Sequence, residues 1–243
     1  MILAGLRQNP ISVILLGILA CCVFIYAADQ VARYARYADL QYWARQIEKG
    51  KPVEAKTLDR LISDSYKSNI DKECQSAFVK PFLTVLLADM DKHNPNVDYE
   101  RWLGALQLTD TFLQHTLSCL PTDGNLWARY AMIRQASAEQ PEEISRLLSL
   151  SQAYSPAEEN ALSARYFLYN RLTEASLASA AAPLEDDLKI LCSSMAEKLR
   201  SRLPAPNARV SKVIEKLNPS CPPIGGSPDE HRFERNRSLQ TVF

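Results

Sequence analysis

The sequence predicts an all-α protein: a single N-terminal transmembrane helix, then a domain of antiparallel helical hairpins, then a disordered tail. Three observations predict it. Residues 11 to 28, "ISVILLGILACCVFIYAA", carry no charge. Downstream, apolar side chains recur at steps of three and four residues, the period of a helix face. Glycine is scarce: of 7 in the chain, only Gly104 and Gly124 fall between residues 51 and 224, so tight β-hairpins have few places to turn.

The first segment is long enough to span. As a helix it rises about 27 Å, close to the roughly 30 Å of a bilayer's hydrocarbon core. Its Ile, Leu, Val and Phe residues give an insertion gain of roughly 3–6 kcal/mol before Ser12 and Gly17 reduce it. A removable signal would need small residues before the cut, and Tyr26 and Ile25 stand at the −3 positions for cleavage after Ala28 and Ala27. The stretch "ILAC" ending at Cys21 resembles a bacterial lipobox, yet "CVFIYAA" stays apolar where a lipoprotein turns polar. An uncleaved anchor fits best, with a lipoprotein, a removed signal and a soluble core helix as alternatives.

Residues 29 to 52 read as a juxtamembrane helix continuing from the span, with tyrosines and Trp43 just beyond it and Gly50 and Pro52 as its stop. The domain proper, residues 53 to 203, divides into helical patterns near 53–67, 74–93, 98–120, 124–137, 140–153, 156–172 and 184–203. In 98–120, Trp102, Leu106, Thr109, Leu113, Thr116 and Leu120 line one face, and Asp98 stands where a cap belongs. "SPAE" predicts a helix start with Ser155 as cap, Pro156 first and Glu158 three beyond the cap. "PLEDD" from Pro183 predicts another, with carboxylates in the first turn where the helix dipole favours them. Residues 204 to 243 hold six prolines and read mostly as tail, with a short helix near 208–217.

Composition narrows the function. The 28 basic and 28 acidic side chains cancel, leaving no electrostatic footprint for nucleic acid. The glycine-poor middle leaves no room for a phosphate-cradling loop, so no nucleotide or other cofactor is expected. His93, His115 and His231 stand apart, without an H-E-x-x-H or similar pattern, and no metal site is expected from them. No nucleophile elbow is present, and Glu142 with Glu143, Glu158 with Glu159, and Glu185 with Asp187 are each explained by a first helical turn. No catalytic residue is assigned.

Orientation is argued by two opposed observations. Arg33, Arg36, Arg45, Lys49 and Lys51 outnumber Arg7, which by the positive-inside rule would hold the domain in the cytoplasm. Against this, Cys74, Cys119, Cys192 and Cys221 are an even set without a C-x-x-C pair, the pattern of disulfides in an oxidising compartment. Three pairings are open, and four free thiols remain the alternative.

Residues 124 to 157 hold two helical halves, with Trp127 near the start, a proline-bearing turn and Pro156 at the end, and they resemble one tetratricopeptide unit. The pattern departs from the family at Ala131, where glycine is usual, and at Glu143, where a small residue belongs. The resemblance implies an α-hairpin pair and not a regular array. In residues 117 to 131, Trp127 beside the Pro121–Gly124 turn reads as filling the core between two helices; the alternative is that it caps an inter-helix groove, with Pro121, Trp127 and Tyr130 as a candidate partner-binding corner. Residues 117 to 172 also resemble small anchored helical proteins associated with bacterial exopolysaccharide assembly. The functional expectation is a non-catalytic, membrane-anchored scaffold subunit of a bacterial envelope assembly, with its domain in the periplasm. An exopolysaccharide accessory protein or enzyme, and a cytoplasm-facing membrane adaptor, are the alternatives.

Overall fold

The computed structural model describes residues 10–67 and 73–225, and every element among them is helical. The first, α1 (Pro10–Arg36), contains the 22-residue stretch Ile11–Ala32, which has a mean hydropathy of 2.7 and buries none of its surface in the domain. It is long and apolar enough to cross a membrane. The helix ends because Tyr37 turns into the core, with its ring 5.2 Å from that of Phe78 and its hydroxyl donating to Glu73. A separate helix, α2 (Ala38–Glu48), then follows, so the predicted juxtamembrane helix is broken and its second half belongs to the domain. Gly50, at φ 69°, supplies the left-handed turn that stops it.

The first half of the domain adds α3 (Ala55–Lys67), α4 (Ser76–Lys92) and α5 (Tyr99–Cys119). Helix α4 packs against α2, α3 and α5, and its Phe78 and Phe82 stack at 5.3 Å while Phe82 meets Phe112 edge-on at 5.0 Å. Pro81 sits inside α4 without breaking it. Proline has no N–H for the carbonyl four residues back, and the freed Ala77 oxygen accepts instead from Gln41 Nε2 of α2 at 3.2 Å. On α5 the predicted face is the buried one: Leu106, Thr109, Leu113 and Thr116 are in the core, and Trp102 and Leu120 pack on its edge. The two threonine hydroxyls satisfy themselves on the carbonyls of Ala105 and Phe112, each at 2.8 Å. Asp98 occupies the cap position of α5 but its carboxylate faces Arg101 and His93 instead of the helix amides.

Helix α6 (Gly124–Ser137) is the wall shared by two hydrophobic clusters. Leu126 and Ile133 enter the first, Ala128, Ala131 and Met132 enter the second, and Trp127 and Tyr130 touch both. A helix buried on several sides needs apolar residues around most of its girth. It runs antiparallel to α7 (Pro141–Tyr154), because Arg134 makes a two-pronged bond to Glu143 at one end and Ser151 Oγ donates to Gly124 O at the other. The glycine is there for proximity. A Cβ on Gly124 would stand 2.5 Å from Ser155 Cβ and 2.6 Å from Ser151 O, closer than such contacts are ever found.

The second cluster is completed by α8 (Glu159–Tyr169), α9 (Glu174–Ser179), α10 (Ala181–Leu191), a 3₁₀ turn at Ser194–Ala196, α11 (Glu197–Arg200) and α12 (Ala208–Leu217). Two predicted helix starts are corrected. Helix α8 is capped by Glu158, whose carboxylate accepts from Ala161 N at 3.1 Å, because the carbonyls of Ser155 and Pro156 are drawn away to the Arg165 guanidinium. Helix α10 begins at Ala181, before Pro183, so Asp187 lies beyond the first turn and dipole complementarity does not explain it. The predicted 184–203 helix is interrupted after Leu191, where the Arg200 guanidinium takes the carbonyls of Leu191 and Ser193. Packing continues past the predicted start of the tail: Val210 and Ile224 are buried, and Cys221 is bonded to Cys192. The remainder of the predicted tail, 226–243, and residues 1–9 lie outside the described residues.

At the centre of this half, Arg165 and Asp187 are both fully buried. All five guanidinium donors are used. Nε and Nη2 bind the two Asp187 oxygens at 2.7 and 2.8 Å, Nη1 reaches Ser151 Oγ at 3.0 Å and Ser155 O at 3.1 Å, and Nη2 also reaches Pro156 O at 3.0 Å. Tyr169 adds its hydroxyl to Asp187 at 3.0 Å. Burial pushes Tyr169 well above the usual phenol range and pushes Asp187 up, with Arg165 and Tyr169 opposing the latter. Removing one partner of such a pair leaves a buried charge alone, so Arg165→Met is expected to cost about 3–5 kcal/mol in urea unfolding of the solubilised protein. Adding Asp187→Leu should recover part of the loss. A single-variant cost below about 1 kcal/mol, the level of an exposed pair, would contradict this role.

Candidate functional site

A cleft of about 400 Å³ opens where the two halves of the domain meet. Helix α2 contributes Ile47 and Glu48, α4 contributes Lys80, Leu83, Thr84 and Leu87, and α6 contributes Asn125, Leu126 and Arg129 beside its cap Asp123. Glu158 and Asn160, at the start of α8, close the far side. Local sequence explains these positions. Asp123 is fixed by accepting from the amides of Asn125 and Leu126 at 3.0 and 3.3 Å, and its second oxygen meets Lys80 Nζ at 3.1 Å. The floor is aliphatic and the walls carry charge of both signs. The Asn125 Oδ1 atom is buried without a hydrogen-bond partner.

Behind Arg129 the charge pattern continues. Burial lowers its guanidinium from the usual range, while Glu158 and Asp91 raise it. Asp91 itself is pushed up to about 7 by burial, against the opposing pull of Arg171 and Arg129. Its Oδ2 is buried without a hydrogen bond. Asp91 on α4, Arg129 on α6 and Arg171 after α8 thus form one coupled set of ionisable groups, of which Arg129 lines the cleft and Asp91 a separate small pocket with Val53, Leu58 and Ala88.

The predicted corner lies elsewhere on α6. Trp127 donates its indole N–H to Pro121 O at 2.7 Å, bracing the turn between α5 and α6, and packs against both clusters. Tyr130 is half-buried nearby, its phenol raised by burial and by Asp110. Neither residue lines the cleft, which takes the adjacent α6 face of Asn125, Leu126 and Arg129.

The four domain cysteines form two disulfides, Cys74–Cys119 and Cys192–Cys221, with Cα–Cα separations of 5.6 and 4.9 Å. The first ties the entry to α4 to the end of α5. The second ties the end of α10 to the segment after α12. In the chain-entropy account, loops of 45 and 29 residues are each worth roughly 4 kcal/mol against the unfolded state. Cys21 and Cys22 are free and exposed on α1.

Among the histidines, His93 stands 3.6 Å from Asp89 and 3.8 Å from Asp98. His115 does have a sulfur neighbour at helical spacing: its Nε2 is 3.8 Å from Cys119 Sγ, one turn later on α5. Both pairs, Asp89 with His93 and His115 with Cys119, correct the expectation that the histidines stand apart, and their i, i+4 spacing was the signal in the sequence. His231 lies outside the described residues.

Each acidic pair has at least one member held by a structural partner. Glu143 binds Arg134, Glu158 caps α8, Glu159 binds Arg202, Glu185 meets Lys189 at 3.6 Å, and Asp187 binds Arg165.

Compared with known protein families, with curated proteins and with solved structures, the chain matches none.

Asp91 gives the stability of the fold a pH signature. Its folded pKa lies above the unfolded value, so between about pH 4 and pH 7 the unfolded chain releases a proton that the folded chain keeps, and stability falls as pH rises through that window. Asp91→Asn removes this slope. In chemical unfolding the variant should gain more stability over the wild type at about pH 8 than at about pH 5. Equal gains at both would show that Asp91 ionises normally in the folded protein.

Proposed function

We propose that the chain is a membrane-anchored, non-catalytic interaction subunit whose helical domain holds a segment of another envelope or membrane protein in the cleft between its two halves. The carrying observation is the cleft itself, with an aliphatic floor of Ile47, Leu83, Leu87 and Leu126 and charged walls of Glu48, Lys80, Arg129 and Glu158. Such a surface suits a peptide segment with one or two aliphatic anchors flanked by charges of both signs. The engagement of the acidic pairs in caps and ion pairs favours this over hydrolytic chemistry.

The apolar helix supports attachment to a membrane. The two disulfides support a domain on the oxidising side, for which the bacterial periplasm is the proposed compartment.

Photo-crosslinking in intact membranes tests the reading. A crosslinker at Thr84 or Asn160, on the cleft, should give one discrete protein adduct, and one at Lys212, on α12, should give none. Lys80→Glu should weaken the cleft adduct by about tenfold, the equivalent of ~1.4 kcal/mol. The same adduct from all three sites, or none from the cleft, would overturn it.

A further inference from the structure

The corner where Cys74 meets Cys119 carries a histidine that the disulfide does not need. His115 Nε2 lies 3.8 Å from Cys119 Sγ, and the ligand atoms of Cys74, His115 and Cys119 all fall within 4.8 Å of one another. The other disulfide, Cys192–Cys221, belongs to no such group among the described residues. We infer that Cys74, His115 and Cys119 form a metal site alternative to the disulfide: once the bond is reduced, the three side chains bind a thiophilic divalent cation of the zinc class.

The geometry supports it. In a tetrahedral zinc site, bonds of about 2.3 Å to sulfur and about 2.0–2.1 Å to nitrogen place neighbouring sulfur and nitrogen ligands roughly 3.6 Å apart and two sulfurs roughly 3.8 Å apart. The imidazole is already near that distance from Cys119. His115 and Cys119 are one turn apart on the rigid α5, the i, i+4 spacing by which a helix presents two ligands to one ion. Cys74 lies in the non-helical residues before α4 and is exposed, so its sulfur can move outward by the ångström or two that breaking the bond requires.

The chemistry balances with a dithiol as reductant. Two electrons and two protons pass to the disulfide, giving Cys74 and Cys119 thiols and an oxidised dithiol. The cation then displaces both thiol protons and accepts the neutral His115 nitrogen, so two thiolates cancel its double charge. A water completes the fourth position. Two thiolates and an imidazole select zinc-like ions over magnesium, calcium or manganese, which prefer oxygen. The site follows from the cysteine and histidine positions alone, so it stands or falls separately from the proposed cleft partner.

The test uses the full chain in detergent, reduced with a dithiol and freed of it anaerobically. Cobalt(II) titration should give a thiolate-to-cobalt charge-transfer band saturating at one ion per chain, bleached by zinc. The Cys192→Ser/Cys221→Ser protein should keep the band, the Cys74→Ser/Cys119→Ser protein should lose it, and His115→Ala should weaken binding at least about tenfold. As a second readout, zinc should slow alkylation of Cys74 and Cys119 but not of Cys192 and Cys221. A reduced domain that loses its helical content or binds no cobalt overturns the site. So does His115→Ala binding unchanged, or alkylation of all four cysteines that is equal with and without zinc.

Discussion

The buried guanidinium of Arg165 is the constraint on which the second half of this protein is organised. A charge at this depth is tolerated only when each donor finds an acceptor and the charge finds an opposite one. The acceptors come from four places in the chain: Asp187 on α10, Ser151 on α7, and the carbonyls of Ser155 and Pro156 in the link to α8. Helix α8, which carries Arg165, is thereby fixed against α7 and α10 at once. Ser151 in turn donates to Gly124 O, which extends the network to the first residue of α6. That last step works because Gly124 has no side chain to hold the α7 terminus away.

From this follows the placement of the cleft. Helix α6 is shared by both hydrophobic clusters, so its position sets the spacing of the two halves of the domain. Its N-terminus is held on one side by the α7 contact and on the other by the ion pair between Lys80 and Asp123. The loop that feeds Ser155 and Pro156 to Arg165 continues directly into Glu158 and Asn160, the far wall of the cleft. The Glu158–Asn160 wall is thus an extension of the folding network. The Cys74–Cys119 bond and the Trp127 bracket on Pro121 fix the opposite corner of α5 and α6.

Much of the architecture was legible locally. The apolar first helix, the all-helical class and the buried face of α5 follow from composition and from a repeat of three and four, signals that need no knowledge of the partner surface. The break at Tyr37 and the cap of α8 were not, because each depends on a distant group: Phe78 and Glu73 for the first, Arg165 for the second. The Arg165–Asp187 pair did leave a trace. Arg165 sits among Leu162, Tyr169 and Leu172, and Asp187 among Leu184, Leu188 and Leu191, so each apolar stripe contains one charge and the two are of opposite sign. The cleft itself has no sequence signature, since its residues come from four separate helical segments. The cysteine pairing was one of three until the chain was folded, and the Trp127 indole N–H meets the Pro121 carbonyl only once the turn between α5 and α6 is in place.

The proposed function requires that the apolar helix tether the domain to a membrane and that the domain lie on its oxidising face. Thiol alkylation of the protein in intact membranes, before and after reduction under denaturing conditions, tests this most directly. The account predicts that Cys74, Cys119, Cys192 and Cys221 gain label only after reduction. Labelling of all four without reductant would place the domain in a reducing compartment and contradict it.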